Sequence, residues 1–229
     1  MFPYFFVDYW YIVLVMPTVI LGFWASHRVK STFAKYSEVY SALSGAEAAR
    51  RVLEANGVFD VQIERVSGNL TDHFDPRTNV IRLSDSVYDS RSVAAVGVAA
   101  HEAGHAVQYA ENYAPIKIRN SIVPVVNFGS SISWFVLIFG LFMGYEPLLW
   151  VGIALFSLTT VFHLITLPVE LNASRRAMEA IRDGNLLFGD EADGARRVLS
   201  AAAMTYDAAL LTSLASLLRV IMIFGRRRD

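Results

Sequence analysis

The 229-residue chain contains no cysteine. That excludes disulfides, thiolate metal ligands, cysteine-protease chemistry and Cys-ligated iron–sulfur clusters. Charge is also scarce. Asp, Glu, Lys and Arg together make up 18% of residues, against roughly 25% in soluble globular chains. Neither sign dominates. The formal net charge is −1, so no global field favours nucleic acid as a partner. Histidine is limited to five residues. Internal repeats and low-complexity stretches are absent. Apolar side chains are abundant instead, at 54%, with a mean hydropathy of +0.39. This composition argues against a disordered chain and against an ordinary soluble enzyme.

The apolar residues fall in blocks. A spanning helix needs about 20 mostly apolar residues. Ser121 to Gly144 is 24 residues without a formal charge, and Pro147 to Pro168 is 22 more, with His163 the one ionisable group. Gly144-Tyr145-Glu146-Pro147 leaves room for a tight turn. Together they predict an antiparallel transmembrane hairpin. Tyr9 to Ala25 is 17 residues, with no Lys or Arg before it and His27, Arg28 and Lys30 after it. That pattern predicts an uncleaved anchor with its N-terminus outside. Ala208 to Gly225 is 18 residues but holds Arg219, which at a helix centre costs about 2.5–3.5 kcal/mol on insertion scales. This segment is a span, an interfacial helix or a helix packed on the others. Asp8 is a possible partner for Arg219, though nothing in the sequence requires it. The expected total is three to four spans. Arg28, Lys30, Lys35, Lys117 and Arg119 flank the hairpin on one side, and Arg175, Arg176, Arg182, Arg196 and Arg197 on the other. A hairpin returns the chain to its starting side, so both segments should face the cytoplasm. Arg226, Arg227 and Arg228 conflict with that if the last block spans.

Residues 26–120 form the main polar region. Ser44-Gly45-Ala46-Glu47 is a capping-box sequence opening a helix to about Asn56, and Gly57 suits its C′ position. Val58–Val66, Leu70–Phe74 and Asn79–Leu83, separated by turn signals, predict a short antiparallel sheet. A helix should follow from about Arg91 to Asn112. Its opening, Val93 to Ala100, is all small or β-branched residues and suits close helix packing.

Inside that helix lies His101-Glu102-Ala103-Gly104-His105. Residues four apart share one helical face, so both imidazoles can reach one zinc ion. Glu102 can flank that ion without binding it and serve as general base and acid. A catalytic zinc wants three protein ligands and an open position. A further ligand at 111 in the HExxHxxGxxH manner fails, because 108 and 111 are Gln and Glu. Among later residues Glu170 is the favoured donor, with His163 and Glu111 next in line.

His101 to Gln108, Leu167 to Arg176, Leu70 to Pro76 and Ile122 to Ser130 resemble the YugP-like family of bacterial membrane zinc metallopeptidases. The likeness runs from about residue 1 to 224. More remotely, the layout is similar to the HtpX and CAAX-prenyl-protease group. The resemblance implies a membrane α-helical protein with a small α+β gluzincin-type zincin domain. It implies zinc held by His101, His105 and Glu170, a bacterial inner-membrane location and a peptide or protein substrate. The remote group has aspartate where this chain has Ser174, so orientation of the ligands is expected to come from elsewhere.

This organisation divides the chain into an anchor (1–25), a cytoplasm-facing zincin region (26–120), a hairpin (121–168), a helical region with the third ligand (169–207) and a hydrophobic helix with a basic tail (208–229). Secondary candidates are Arg175 or Arg176 for the oxyanion, His73 at the cleft edge and His163 within the hairpin. The strand Asn79–Leu83 is a candidate for pairing with substrate. The competing readings are a zinc-binding membrane scaffold without catalysis, and a channel or transporter component. The lipid bilayer is a partner in each.

Overall fold

The computed structural model describes residues 8–225. The arginines at 226–228 lie outside the described residues. In order, the elements are α1 (Met16–Ser37, preceded by a π-helical turn at Tyr11–Val15), α2 (Gly45–Ala55), β1 (Gln62–Val66), β2 (His73–Asp75), β3 (Val80–Ser84), α3 (Val93–Ala110), α4 (Ala114–Met143), α5 (Glu146–Asp183) and α6 (Asp190–Gly225). Among the described residues, four helical stretches are long and apolar enough to cross a membrane: Tyr11–Ser37, Ala114–Met143, Glu146–Asp183 and Asp190–Phe224. The chain forms two compact units.

The described part of the first unit covers residues 8–25, 118–168 and 205–225. Its core is Leu137, Leu149, Ile153, Val220 and Phe224. The α4–α5 pair packs closely because glycine lines the contact. A Cβ on Gly152 would lie 2.7 Å from the Leu137 side chain, and one on Gly140 would lie 3.1 Å from the Leu149 amide. The turn between them depends on Gly144, at φ +64°, a conformation few other residues adopt without strain. The apolar stretch from 208 is continuous helix, and its arginine is not left alone. Arg219 donates to Asp8 Oδ2 from Nη2 at 2.7 Å and from Nε at 3.0 Å. Tyr11 N donates to the other carboxylate oxygen at 2.8 Å. The helix therefore carries its arginine paired, which offsets much of the insertion penalty.

The second unit comprises Ser26–Lys117 and Val169–Met204. Helix α2 starts at a complete capping box: Glu47 N donates to Ser44 Oγ at 3.3 Å, and Ser44 N donates to Glu47 Oε2 at 2.7 Å. Its buried positions are Gly45, Ala48, Ala49, Val52 and Leu53, one face of a 3.6-residue period. That face packs on α3, whose own Ala99, Ala100, Ala103 and Ala106 are buried. Ala177, Ile181, Ala195 and Leu199 complete this core.

The sheet is mixed, not antiparallel as the sequence pattern predicts. Strand order is β1-β3-β2, with β1 parallel and β2 antiparallel to β3. The cause lies in β3. Val80, Ile81, Leu83 and Ser84 are all buried, so this strand takes the centre, where both its edges are paired. Asp72 fixes the return: its carboxylate accepts from Ser84 N at 2.7 Å and from Ser84 Oγ at 3.0 Å. Two consequences follow. The strand over 58–66 shortens to Gln62–Val66, and β3, with no free edge, cannot pair with a substrate. The edge next to α3 is β2, where the Phe74 and Tyr109 rings meet at 6.0 Å. A further difference concerns Pro168. It does not end a helix; α5 runs through it. The Leu164 carbonyl simply loses its usual amide donor there.

Candidate metal centre

Helix α3 is capped by Ser92, whose side chain accepts from Ala95 N at 3.2 Å. Its sequence puts His101 and His105 one turn apart on one face. Their rings sit edge to face, with centroids 4.7 Å apart. Opposite them, α5 brings Glu170. The Glu170 Oε2 atom lies 3.3 Å from His101 Nε2 and 3.3 Å from His105 Nε2. Ligand atoms of all three residues lie within 4.8 Å of one another, so the group could hold a metal ion. The spacing suits zinc. Bonds of about 2.0–2.1 Å at tetrahedral angles put neighbouring donors about 3.3–3.4 Å apart.

The approach of α5 to α3 is possible because residue 104 is glycine. A Cβ there would stand 2.8 Å from the Ala173 carbonyl oxygen, inside any tolerable contact. The two unspecified positions of the His-Glu-x-x-His pattern are therefore filled for a packing reason. Ala103 is fully buried and Gly104 touches α5 backbone.

The tautomer of His105 follows from the surrounding hydrogen bonds. Arg176 Nε can only donate, and it donates to Asn172 Oδ1 at 2.8 Å. The same oxygen accepts from Gln108 Nε2 at 2.8 Å, and that Nε2 also donates to the Val169 carbonyl at 2.9 Å. Gln108 must therefore present its oxygen to His105, and His105 Nδ1–H donates to Gln108 Oε1 at 3.0 Å. The Nε2 lone pair of His105 is left facing Glu170. On His101, Nδ1 lies 3.2 Å from Ser174 Oγ, which leaves its Nε2 facing Glu170 in the same way. Burial alone would disfavour a charged His105. Glu170, then Glu102 and Gln108, more than reverse this and raise its pKa above the ordinary histidine value.

At the position where the remote group has aspartate, the Ser174 hydroxyl meets His101 Nδ1 instead. Gln108 was visible in the sequence only as a mismatch to a longer zinc motif, and nothing there marked it as a histidine's partner. Glu102 is buried on α3 beside His101. The remaining candidates stand outside the cluster. His73 is exposed, its Nδ1 2.9 Å from the Thr71 carbonyl. Arg175 is exposed, 3.9 Å from Glu179. Arg176 is held by Asn172 and, at 2.8 Å, by Glu111. His163 belongs to the other unit.

A family model described as "Putative neutral zinc metallopeptidase" matches residues 11–225. The chain belongs to that family. The family's cofactor is zinc, and the His101–His105–Glu170 group is where these residues could hold it. A Bacillus subtilis (strain 168) protein described as "Putative membrane protease YugP" is 48% identical over 221 residues, covering 96% of this chain and 98% of that one. No solved structure matches the chain.

Proposed function

We propose that this chain is a membrane-embedded zinc endopeptidase of gluzincin type. His101, His105 and Glu170 hold the metal and Glu102 is the general base and acid. The single observation that carries this reading is the pair of 3.3 Å separations between the histidine Nε2 atoms and one Glu170 oxygen. That separation matches the distance between neighbouring ligands that a tetrahedral zinc would require. Zinc there would act as a Lewis acid, polarising a substrate carbonyl and acidifying a water. Glu102 takes the proton from the attacking water and delivers it to the leaving amine. Gln108 holds the His105 imidazole in the tautomer that keeps Nε2 free, and the Ser174 hydroxyl contacts Nδ1 of His101. The β2 edge next to α3, not β3, is the strand available to a substrate backbone.

The relative described as a membrane protease and the four apolar helices support insertion in a bilayer. The basic residues flanking the 121–168 hairpin support a site on the cytoplasmic side of a bacterial inner membrane. The anchor, hairpin and C-terminal hydrophobic segments tether the site, so substrates are membrane-proximal or misfolded proteins. A purely structural zinc would be closed by four protein ligands. The cluster supplies three among the described residues, which favours catalysis over a scaffold.

Elemental analysis of detergent-purified protein tests the site directly. About one zinc per wild-type chain and little in Glu170→Ala is the expected result. Glu102→Ala should keep its zinc and lose proteolysis. Full zinc in Glu170→Ala, or retained cleavage in Glu102→Ala, would sink the assignment.

A further inference from the structure

A cavity of about 570 Å³ lies between α1 and α6 in the unit that holds the candidate metal centre. Helix α1 contributes Arg28, Ser31, Thr32 and Lys35. Those positions are spaced 0, 3, 4 and 7, a single helical face. Helix α6 contributes Asp193, Arg196, Arg197 and Ser200, with the same spacing. Two helices that face one another normally do so with apolar stripes. Here the facing stripes are polar, with four cationic side chains and one carboxylate. The pair is nonetheless in firm contact beside the cleft. Gly194 lies so close to Tyr36 that a Cβ would come within 2.7 Å of the ring.

The four cations outnumber the one lining carboxylate, Asp193, and an excess of like charge in a cleft favours binding of a further anion. The hydroxyls of Ser31, Thr32 and Ser200 add neutral donors, and guanidinium forks suit the oxygens of phosphate. Membrane orientation alone needs basic residues near the ends of a span, not convergence on one concavity. Lys30, on the same helix, does not line the cleft. The cleft also occupies the helical turns that adjoin apolar sequence. Arg28 is one turn past the block ending at Ala25, and Met204, another lining residue, is one turn before Ala208.

We propose that the α1–α6 cleft binds a phosphate group, supplied by the headgroup of an anionic phospholipid. The proposal is independent of the zinc site and of proteolysis. The test uses the full chain in phosphatidylcholine nanodiscs doped with phosphatidylglycerol, with retained lipid counted by native mass spectrometry. Wild type should retain phosphatidylglycerol in preference to phosphatidylcholine. The Arg196→Gln/Arg197→Gln variant should lose roughly 30-fold in that preference, from about fivefold per basic residue near an anionic lipid. Arg51→Gln, an exposed arginine on α2, is the control and should leave it unchanged. Both arginines of the double variant are exposed on α6, so the fold should survive, and an unchanged melting temperature verifies this. A second arm adds inorganic phosphate in undoped nanodiscs. Stabilisation of wild type there, with no lipid preference, would replace the headgroup by free phosphate and overturn the lipid source. Absence of both effects, or equal loss in Arg51→Gln, would overturn the site.

Discussion

Gln108 has a single orientation open to it. Its Nε2 faces the Val169 carbonyl and Asn172, so its oxygen must take the His105 proton. Partners of this kind tune metal affinity by about 10–100-fold. Gln108→Leu should therefore weaken zinc binding by that factor in competition with a chelator, while Glu102→Gln should not. Gln108→Leu should also destabilise the fold, since it leaves buried polar partners unsatisfied at about 1–3 kcal/mol each. A carboxylate outside the cluster gives a pH signature. The Arg77 backbone amide, backed by its guanidinium, holds Asp75 down to about 2. An unfolded aspartate titrates near 4. The stability Asp75 contributes is thus fully present above about pH 4 and is lost as the pH falls toward 2. Thermal melting should show Asp75→Asn less stable than wild type at pH 6, with the gap closing below pH 4. A gap that widens in acid would contradict the assignment.

At the scale of elements, the close approach of α3 and α5 is the feature that makes the site. Gly104→Ala forces its Cβ against the Ala173 carbonyl, 2.8 Å away in the present backbone. The helices must separate by several tenths of an ångström, and Glu170 retreats from both histidines. Zinc occupancy should fall in Gly104→Ala although no ligand has changed. Undiminished affinity in a folded Gly104→Ala protein would show that this contact does not set the ligand distances. What the sequence made legible follows the same logic of locality. The capping box at Ser44 and Glu47 is written within four residues, and His101 and His105 within five. Strand order was not legible, because it depends on β3 being buried on both faces, and Val80-Ile81-Arg82-Leu83-Ser84 alternates no more clearly than its neighbours. Helix α5 reads as two pieces because proline is a local signal, whereas the packing that keeps it continuous is not. The roles of Gln108 and Ser174 depend on partners 61 and 73 residues away in sequence, and no local pattern carries them.

At the scale of the molecule, a metal bound between α3 and α5 is a cross-link between two chain segments. Binding stabilises the folded state by mass action, about 4 kcal/mol at a thousandfold excess over Kd. Removing zinc with a chelator should lower the melting temperature, and restoring zinc should return it. In Glu170→Ala the chelator should have almost no effect. A wild-type melting temperature indifferent to the chelator would argue against a metal at this place. The pairing of Asp8 with Arg219, 211 positions apart, is a second closure of this kind. It joins two segments far apart in sequence, which is why Arg219 read by itself carried an insertion cost.

The distance along the chain between His101 and Glu170, 69 residues, has a consequence for the order of synthesis. During translation the histidine pair emerges first. The carboxylate that completes the centre follows only after the whole 121–168 hairpin has been made. At ordinary elongation rates that interval is on the order of several seconds. A nascent chain therefore lacks the third residue of the centre until the hairpin is complete, and one truncated before Glu170 lacks it permanently. The hairpin acts as a timer: the candidate metal centre is completed only in a chain whose anchor and hairpin have already been made, while the helix over Asp190–Phe224 is still to come.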